Sequence, residues 1–149
     1  MIRGIEIIPL KQIKDDRGKI MHMMRNDSNY FKKFGEIYFS TVNFNYIKAW
    51  HLHKKNTLNY VCLSGKVKLV LFDKRVKSET YNEFQELFMS PDDYYLVKIP
   101  PGIWNGFIGL SKPDSIIANL IDNPHDESEM VRLPHDSNEF EYNWKKKIP

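Results

Sequence analysis

The sequence predicts a single all-β domain. Short runs of β-branched and aromatic residues recur along the 149 residues, and Gly, Pro, Asn and Asp cluster between them. Regular spacing of short strands and turns is typical of β-sandwiches and barrels, and no stretch has the periodicity of a long amphipathic helix. An apolar content of 42% is enough for one hydrophobic core, so we expect one domain over residues 1–149.

Ten segments have strand character, and turn sequences such as DDRG, LSGK, SPDD, PPG and NPHD separate them. The run VKLVLF at 67–72 alternates only loosely, so we expect it to be covered on both faces. Ser64-Gly65 predicts a two-residue hairpin loop, and one helical turn could form at 130–133 or in the C-terminal tail. The predicted strands are 5–10, 19–24, 36–42, 47–52, 58–63, 66–72, 83–89, 94–99, 106–110 and 115–122.

Composition excludes several classes of protein. The net charge is only +3, with acidic and basic residues interspersed, which does not indicate a nucleic-acid-binding surface. No apolar run approaches the roughly 18 residues of a membrane-spanning helix, and the N-terminal run is interrupted by Glu6 and Pro9, unlike a signal peptide. The single cysteine, Cys62, argues against a disulfide framework. We therefore expect a cytoplasmic protein without nucleic-acid or membrane partners.

The most informative motif is His51-Leu52-His53. Residues i and i+2 of a strand point to the same face of a sheet, so both imidazoles should share one surface. Metal-binding cupins, which are jelly-roll barrels, combine His-x-His with a later Glu and a final Pro-x-Gly-x-x-His. Here Leu58 holds the Glu position and Asn105 the last His position, which leaves two of four ligands. We expect a cupin fold with no bound metal, and a metal-dependent cupin is the alternative.

Five ordered motifs resemble the dTDP-4-dehydrorhamnose 3,5-epimerase family of cupins, over nearly the whole chain. The motifs are Asp16-Arg17-Gly18, Lys48-Ala49-Trp50-His51 in place of Arg-Gly-Leu-His, the stretch 65–80 with its Asp-x-Arg-x-x-Ser-x-Thr pattern, 99–107 in place of Ile-Pro-x-Gly-x-x-His-Gly-Phe, and Tyr142-Asn143-Trp144.

This resemblance implies an isomerase that epimerises a nucleotide-linked 4-keto-6-deoxy sugar for a surface polysaccharide. It implies no cofactor, and a homodimer in which the N-terminal segment reaches its neighbour. The segment HLHK also resembles the sugar 3,4-ketoisomerases of the same cupin group, so a ketoisomerase is one alternative. A non-catalytic carbohydrate-binding cupin is another.

The resemblance also assigns catalytic roles. His51 matches the family's general base, and a histidine is suited to proton removal near neutral pH. His53, Asp73 and Asn105 are further candidates, with Asp73 as a stand-in for the aspartate that orients the base. The family's lysine position holds Leu58, and its tyrosine acid should fall near 121–122, where the sequence has no tyrosine.

Substrate-binding candidates come from cationic, polar and aromatic residues near these motifs. Arg17 and Arg75 match basic positions of the family and suit a diphosphate; the alternatives are a turn-closing role and a solvated surface position. Trp50 and Trp104 could stack on the sugar or base, or pack in the core. Polar groups beside the histidines complete the set, namely Lys48, Lys54 and Asn59. We expect the acidic segment 125–129, HDESE, to be a solvated turn.

Overall fold

The computed structural model describes residues 1–146 and 148, and it confirms an all-β jelly roll. Twelve strands form two facing sheets of five strands and one small two-stranded sheet. Lys147 and Pro149, which the predicted domain 1–149 includes, lie outside the described residues. The strands are β1 Glu6–Pro9, β2 Gln12–Asp15, β3 Gly18–Met21, β4 Glu36–Asn43, β5 Ile47–His53, β6 Leu58–Ser64, β7 Val67–Asp73, β8 Phe84–Met89, β9 Tyr95–Ile99, β10 Ile103–Gly109, β11 Asp114–Ile121 and β12 Met130–Arg132.

The first sheet has the strand order β1-β9-β6-β11-β4, and the second has β12-β5-β10-β7-β8. The strands within each sheet pair antiparallel. The strands β2 and β3 pair only with each other and form a hairpin that we call the N-terminal hairpin. In the described part of the chain, no helix is long and apolar enough to cross a lipid bilayer.

Three apolar clusters hold the fold together, and one of them covers the outer face of the first sheet around Val61, Leu96 and Ala118. The main core lies between the sheets and includes inward side chains of β6, β7, β10 and β11. The second cluster lies on the outer face of the second sheet, where Phe140 and Trp144 of the C-terminal segment pack against Trp50, Phe72 and Trp104. Strand β7 is therefore buried along its whole length, as its weak alternation predicts.

Two local predictions are wrong. The strands on either side of Ser64-Gly65 belong to different sheets, so this turn carries the chain from one sheet to the other instead of closing a hairpin. The predicted helical turn at 130–133 is strand β12, which pairs with β5. A short 3-10 turn lies just before it, at Glu127–Glu129. Both errors arise because tertiary pairing decides the outcome where the local signal is only a few residues long.

Candidate active site

A cavity of about 320 Å³ opens between the two sheets, within the usual size range of ligand pockets, about 300–1,000 Å³. Strands β4, β6 and β11 supply the wall from the first sheet, and β5, β10 and β12 supply the opposite wall. The lining residues are Glu36, Tyr38, Ser40, Lys48, His51, His53, Tyr60, Phe107, Ile117, Asn119, His125, Met130 and Arg132.

Both histidines of the His-x-His motif line this cavity. They are two residues apart on β5, so strand alternation turns both imidazoles to the inner face. His53 is buried, and His51 is half-buried. The cavity therefore contains two titratable imidazoles next to each other on one wall.

A β-bulge brings Lys48 onto the same face as these histidines. Asn105 pairs with His51 and Phe107 pairs with Lys48. Two residues of β5, Ala49 and Trp50, therefore lie opposite a single residue of β10, Gly106. Such a bulge re-aims side chains. Gly106 lies opposite the bulge, where an added Cβ would be 2.3 Å from the Ala49 Cβ and 2.9 Å from its Cα, so only glycine fits without a shift.

Glu129 is the carboxylate partner of His53. Its Oε1 makes a short contact with His53 Nδ1, and both side chains are buried. Backbone N–H groups of Lys55 and Asn56 donate to Oε2 at 3.1 and 3.3 Å. Burial raises the pKa of Glu129, but these hydrogen bonds and His53 outweigh it and lower that pKa. A carboxylate in this position fixes the orientation of the imidazole.

His51 lies in cationic surroundings. Arg132 is its cross-strand neighbour on β12. Burial lowers the pKa of His51 to about 4, and Arg132, His53 and Lys48 act in the same direction. The imidazole is therefore neutral near pH 7, which is the form that can accept a proton.

Two tyrosines, Tyr38 and Tyr60, lie on the wall opposite His51. Asn119 Nδ2 donates a hydrogen bond of 2.8 Å to the Tyr38 hydroxyl, and the two residues are cross-strand partners. The Tyr60 hydroxyl donates to Asn105 Oδ1 at 3.0 Å. Burial raises the pKa of both phenols.

Comparison with known proteins identifies the family. The sequence pattern of the dTDP-4-dehydrorhamnose 3,5-epimerase family matches residues 1–149. This chain belongs to that family. The spore coat polysaccharide biosynthesis protein SpsL of Bacillus subtilis is 32% identical over 147 residues, which cover 97% of each chain. A probable low-salt glycan biosynthesis epimerase of Haloferax volcanii is 25% identical over 151 residues, covering 99% of this chain and 97% of that protein.

Solved structures agree with this assignment. The crystal structure of a dTDP sugar isomerase from Desulfovibrio desulfuricans G20 superposes with a TM-score of 0.95 at 35% sequence identity, covering 99% of this chain and 94% of that chain. A 3'-monoepimerase from Streptomyces bikiniensis, at 16% identity, has the same fold with a TM-score of 0.87. Members of this family are isomerases of the epimerase type.

The two tryptophans of this epimerase-family chain do not line the cavity. Trp50 and Trp104 are buried in the outer aromatic cluster, where Trp50 contacts Phe140 and Trp144 at ring-centroid distances of 5.0 and 4.8 Å. Each tryptophan is next in sequence to an inward residue, so alternation turns it outward. Of the two alternatives for these tryptophans, the structure agrees with packing in the core.

The predicted link between Asp73 and His51 is also wrong. Asp73 accepts two hydrogen bonds from the Arg75 guanidinium, at 2.9 and 2.8 Å, and one each from the hydroxyls of Ser78 and Thr80. Burial raises the pKa of Asp73, but these bonds outweigh it and lower that pKa. The Asp-x-Arg-x-x-Ser-x-Thr motif thus organises the loop after β7, and Arg75 lies there, outside the cavity.

Four other predicted residues differ in their distance from the cavity. Asn105 is fully buried behind it and connects the walls, because its Nδ2 donates to the His51 carbonyl at 3.1 Å while its Oδ1 accepts from Tyr60. Asn59 donates to the Leu120 carbonyl and Lys54 is exposed at the end of β5; neither lines the cavity. Arg17 lies at the tip of the N-terminal hairpin, paired with Asp15, and its side chain is 90% exposed.

Among the functional residues that sequence reasoning missed, Tyr38, Asn119 and Arg132 line the cavity, and Glu129 contacts His53. Glu129 was expected in a solvated turn, yet it is buried. Tyr38 and Asn119 could have been found from alternation along β4 and β11, which places every second residue inside. Among residues 1–146 and 148, no three His, Cys, Asp or Glu side chains are grouped to hold a metal ion, and the expectation of a metal-free site stays a prediction.

Proposed function

We propose that this protein epimerises a nucleotide-linked 4-keto-6-deoxy sugar, dTDP-linked or linked to another nucleoside diphosphate, for a surface polysaccharide. The observation that carries the proposal is the cavity between the sheets, where a neutral His51 and the His53–Glu129 pair face two tyrosines. Family membership supports the reaction class. The reaction uses no cofactor, because proton removal next to a ketone needs only acid–base groups. The site of action is the cytoplasm.

His51 is the general base. It removes the proton on the carbon next to the C4 ketone, and the electron pair moves to the ketone oxygen to form an enolate. Glu129 holds His53 in place beside His51. His53 provides a polar group on the cavity wall near the enolate oxygen, where negative charge develops. Fixed polar groups in a site sheltered from water stabilise such an oxyanion far better than water does.

The nucleotide diphosphate binds to the cations of the cavity. Lys48 and Arg132 both line it. The Lys48 ammonium already donates to Ser40 Oγ at 2.7 Å, which orients it across the cavity mouth, and Glu127 accepts from Arg132. Arginine and lysine are the usual partners of phosphate oxygens in proteins.

The active form is a homodimer in which Arg17 reaches the cavity of the partner subunit. Arg17 lies outside the cavity of its own chain, on the N-terminal hairpin. The apolar cross-strand pair of this hairpin, Ile13 and Ile20, is 44% and 60% exposed. Exposed apolar side chains on a two-stranded element that lies outside both main sheets favour a covering surface.

The test is NMR spectroscopy of the wild-type protein with nucleotide-linked 4-keto-6-deoxy sugars in deuterated water. We expect deuterium at a carbon next to the ketone, an inverted configuration there, and a ketone that stays at C4. A ketone that moves to C3 would identify a 3,4-ketoisomerase. Binding without any deuterium exchange would identify a carbohydrate-binding protein and contradict the proposal.

A further inference from the structure

Epimerisation needs a second group that His51 cannot supply. The base removes a proton on one face of the sugar ring, and an acid must return one on the other face. His51 lies on the second sheet, so a sugar held between the sheets presents its other face to β4, β6 and β11. The side chains of this opposite wall that carry a transferable proton at neutral pH are hydroxyls, namely those of Tyr38, Ser40 and Tyr60.

We propose that Tyr38 is the general acid of the reaction. This inference rests on the proposed function and completes it. Tyr38 faces the cavity from β4, on the sheet opposite His51. Its hydroxyl oxygen accepts a hydrogen bond from Asn119 Nδ2 at 2.8 Å, and within the described residues its own hydrogen has no acceptor. That hydrogen is therefore free to point to a bound sugar.

Tyr60 does not have a free hydrogen. Asn105 Nδ2 lies 3.1 Å from the His51 carbonyl oxygen and must donate to it, so Asn105 Oδ1 is an acceptor. Because that oxygen can only accept, the Tyr60 hydroxyl, 3.0 Å away, must donate to it. Tyr60 is also almost fully buried, so its proton is held within the protein.

Ser40 is the weaker acid of the remaining two. Its oxygen accepts from the Lys48 ammonium at 2.7 Å, and an aliphatic hydroxyl releases its proton far less readily than a phenol. Tyrosine, with an ordinary pKa near 10, is an established acid–base residue in enzymes.

The surroundings of Tyr38 keep its phenol protonated before the transfer and stabilise the phenolate after it. Burial raises its pKa, and the charges of Glu36 and Glu129 act in the same direction, so the phenol carries its proton at neutral pH. The hydrogen bond from Asn119 and the charge of Arg132 act the other way. These two contacts stabilise the phenolate that forms when the proton leaves.

The epimerisation removes one proton from the sugar and returns one proton to it. An imidazole nitrogen of His51 takes the proton as the C–H bond breaks, and the electron pair enters the enolate. The enolate carbon then forms a C–H bond on its opposite face with the Tyr38 proton, and the ketone returns. The imidazolium and the phenolate then return to their neutral forms by proton exchange with water.

The test separates proton removal from proton return, using the substrate that wild-type protein turns over in deuterated water. In Tyr38→Phe, His51 still removes the proton and returns deuterium to the same face, so exchange with retained configuration should continue. Formation of the epimer should fall by about 10²- to 10⁴-fold. Tyr95→Phe is the matched control, because it removes a hydroxyl that donates to the Phe88 carbonyl at 2.6 Å outside the cavity, and it should form the epimer at the wild-type rate.

Three results would overturn the assignment. The first is epimer formation by Tyr38→Phe at the wild-type rate. The second is the same separation of exchange from epimerisation in Tyr60→Phe but not in Tyr38→Phe. The third is loss of both exchange and epimer in a Tyr38→Phe variant that is folded by circular dichroism. Absence of exchange in the wild type with every sugar would refute the proposed function itself, and the assignment with it.

Discussion

His51 is partly buried and is surrounded by cations. Burial lowers its pKa to about 4 from an ordinary value of 6.5, and the charges of Arg132 and Lys48 act in the same direction. A nucleotide diphosphate brings negative charge to these two cations. Binding should therefore raise the basicity of His51 when the substrate is in place.

This gives a pH dependence that can be measured. His51 is active when neutral, so kcat/KM, which reports the free enzyme, should stay constant as pH falls from 7 and decrease as pH drops through about 4. The acidic limb of kcat should lie at higher pH, because it reports the enzyme–substrate complex. Circular dichroism at each pH controls for unfolding. An acidic limb of kcat/KM near 6.5 would contradict this account of His51.

The two faces of strand β5 have different roles, one in the active site and one in packing. Its inner face carries the two histidines, and the bulge opposite Gly106 adds Lys48 to that face. Its outer face carries Trp50, which fills the aromatic cluster under the C-terminal segment. The same alternation that predicts a shared surface for His51 and His53 also excludes Trp50 from it, and this was derivable from the sequence.

Replacement of Trp50 should therefore affect stability and leave ligand affinity intact. Trp50→Ala removes a fully buried indole, and such truncations cost about 3–5 kcal/mol of unfolding free energy. Urea denaturation measures this loss. Titration with the nucleotide, under conditions where the variant is folded, should give a wild-type Kd. Weakened nucleotide binding with unchanged stability would restore the stacking role.

Prediction succeeded for elements whose signal is local and failed where distant segments decide. All ten predicted strands overlap strands of the structure, because β-branched runs and turns are readable in a short window. The placement of β6 and β7 in different sheets could not be predicted, since Ser64-Gly65 has the composition of a hairpin loop. The burial of Glu129 could not be predicted either, because it depends on hydrogen bonds from the N–H groups of Lys55 and Asn56, more than 70 residues earlier.

In the proposed dimer, each active site contains residues of both chains. Arg17→Ala removes the contribution of one chain, and His51→Asn disables the cavity of the other. A mixed dimer of these two variants contains one site with an intact His51 and an intact Arg17 from the partner. Mixing the two variants after mild unfolding and refolding should therefore recover activity. With random pairing, half of the dimers are mixed and each mixed dimer has one intact site of two, so the recovered activity should reach about one quarter of the wild-type value.

Arg25→Ala is the matched control for this experiment, because Arg25 forms a similar exposed pair with Asp27. It should be active alone, and mixing with His51→Asn should give only the activity of its own chains. Light scattering of the wild type should give twice the mass of one chain. No recovery from the Arg17→Ala and His51→Asn mixture, in a dimer shown to exchange subunits, would contradict the shared site.

In the proposed mechanism His51 removes the proton next to the ketone. The rate of deuterium incorporation by His51→Asn, compared with the wild type, measures this role. Asparagine keeps a polar side chain of similar reach but cannot act as a base at neutral pH. We expect the exchange rate to fall by about 10²- to 10⁴-fold, with nucleotide affinity unchanged because Lys48 and Arg132 remain. Exchange by His51→Asn at the wild-type rate would contradict the account and assign proton removal to another residue.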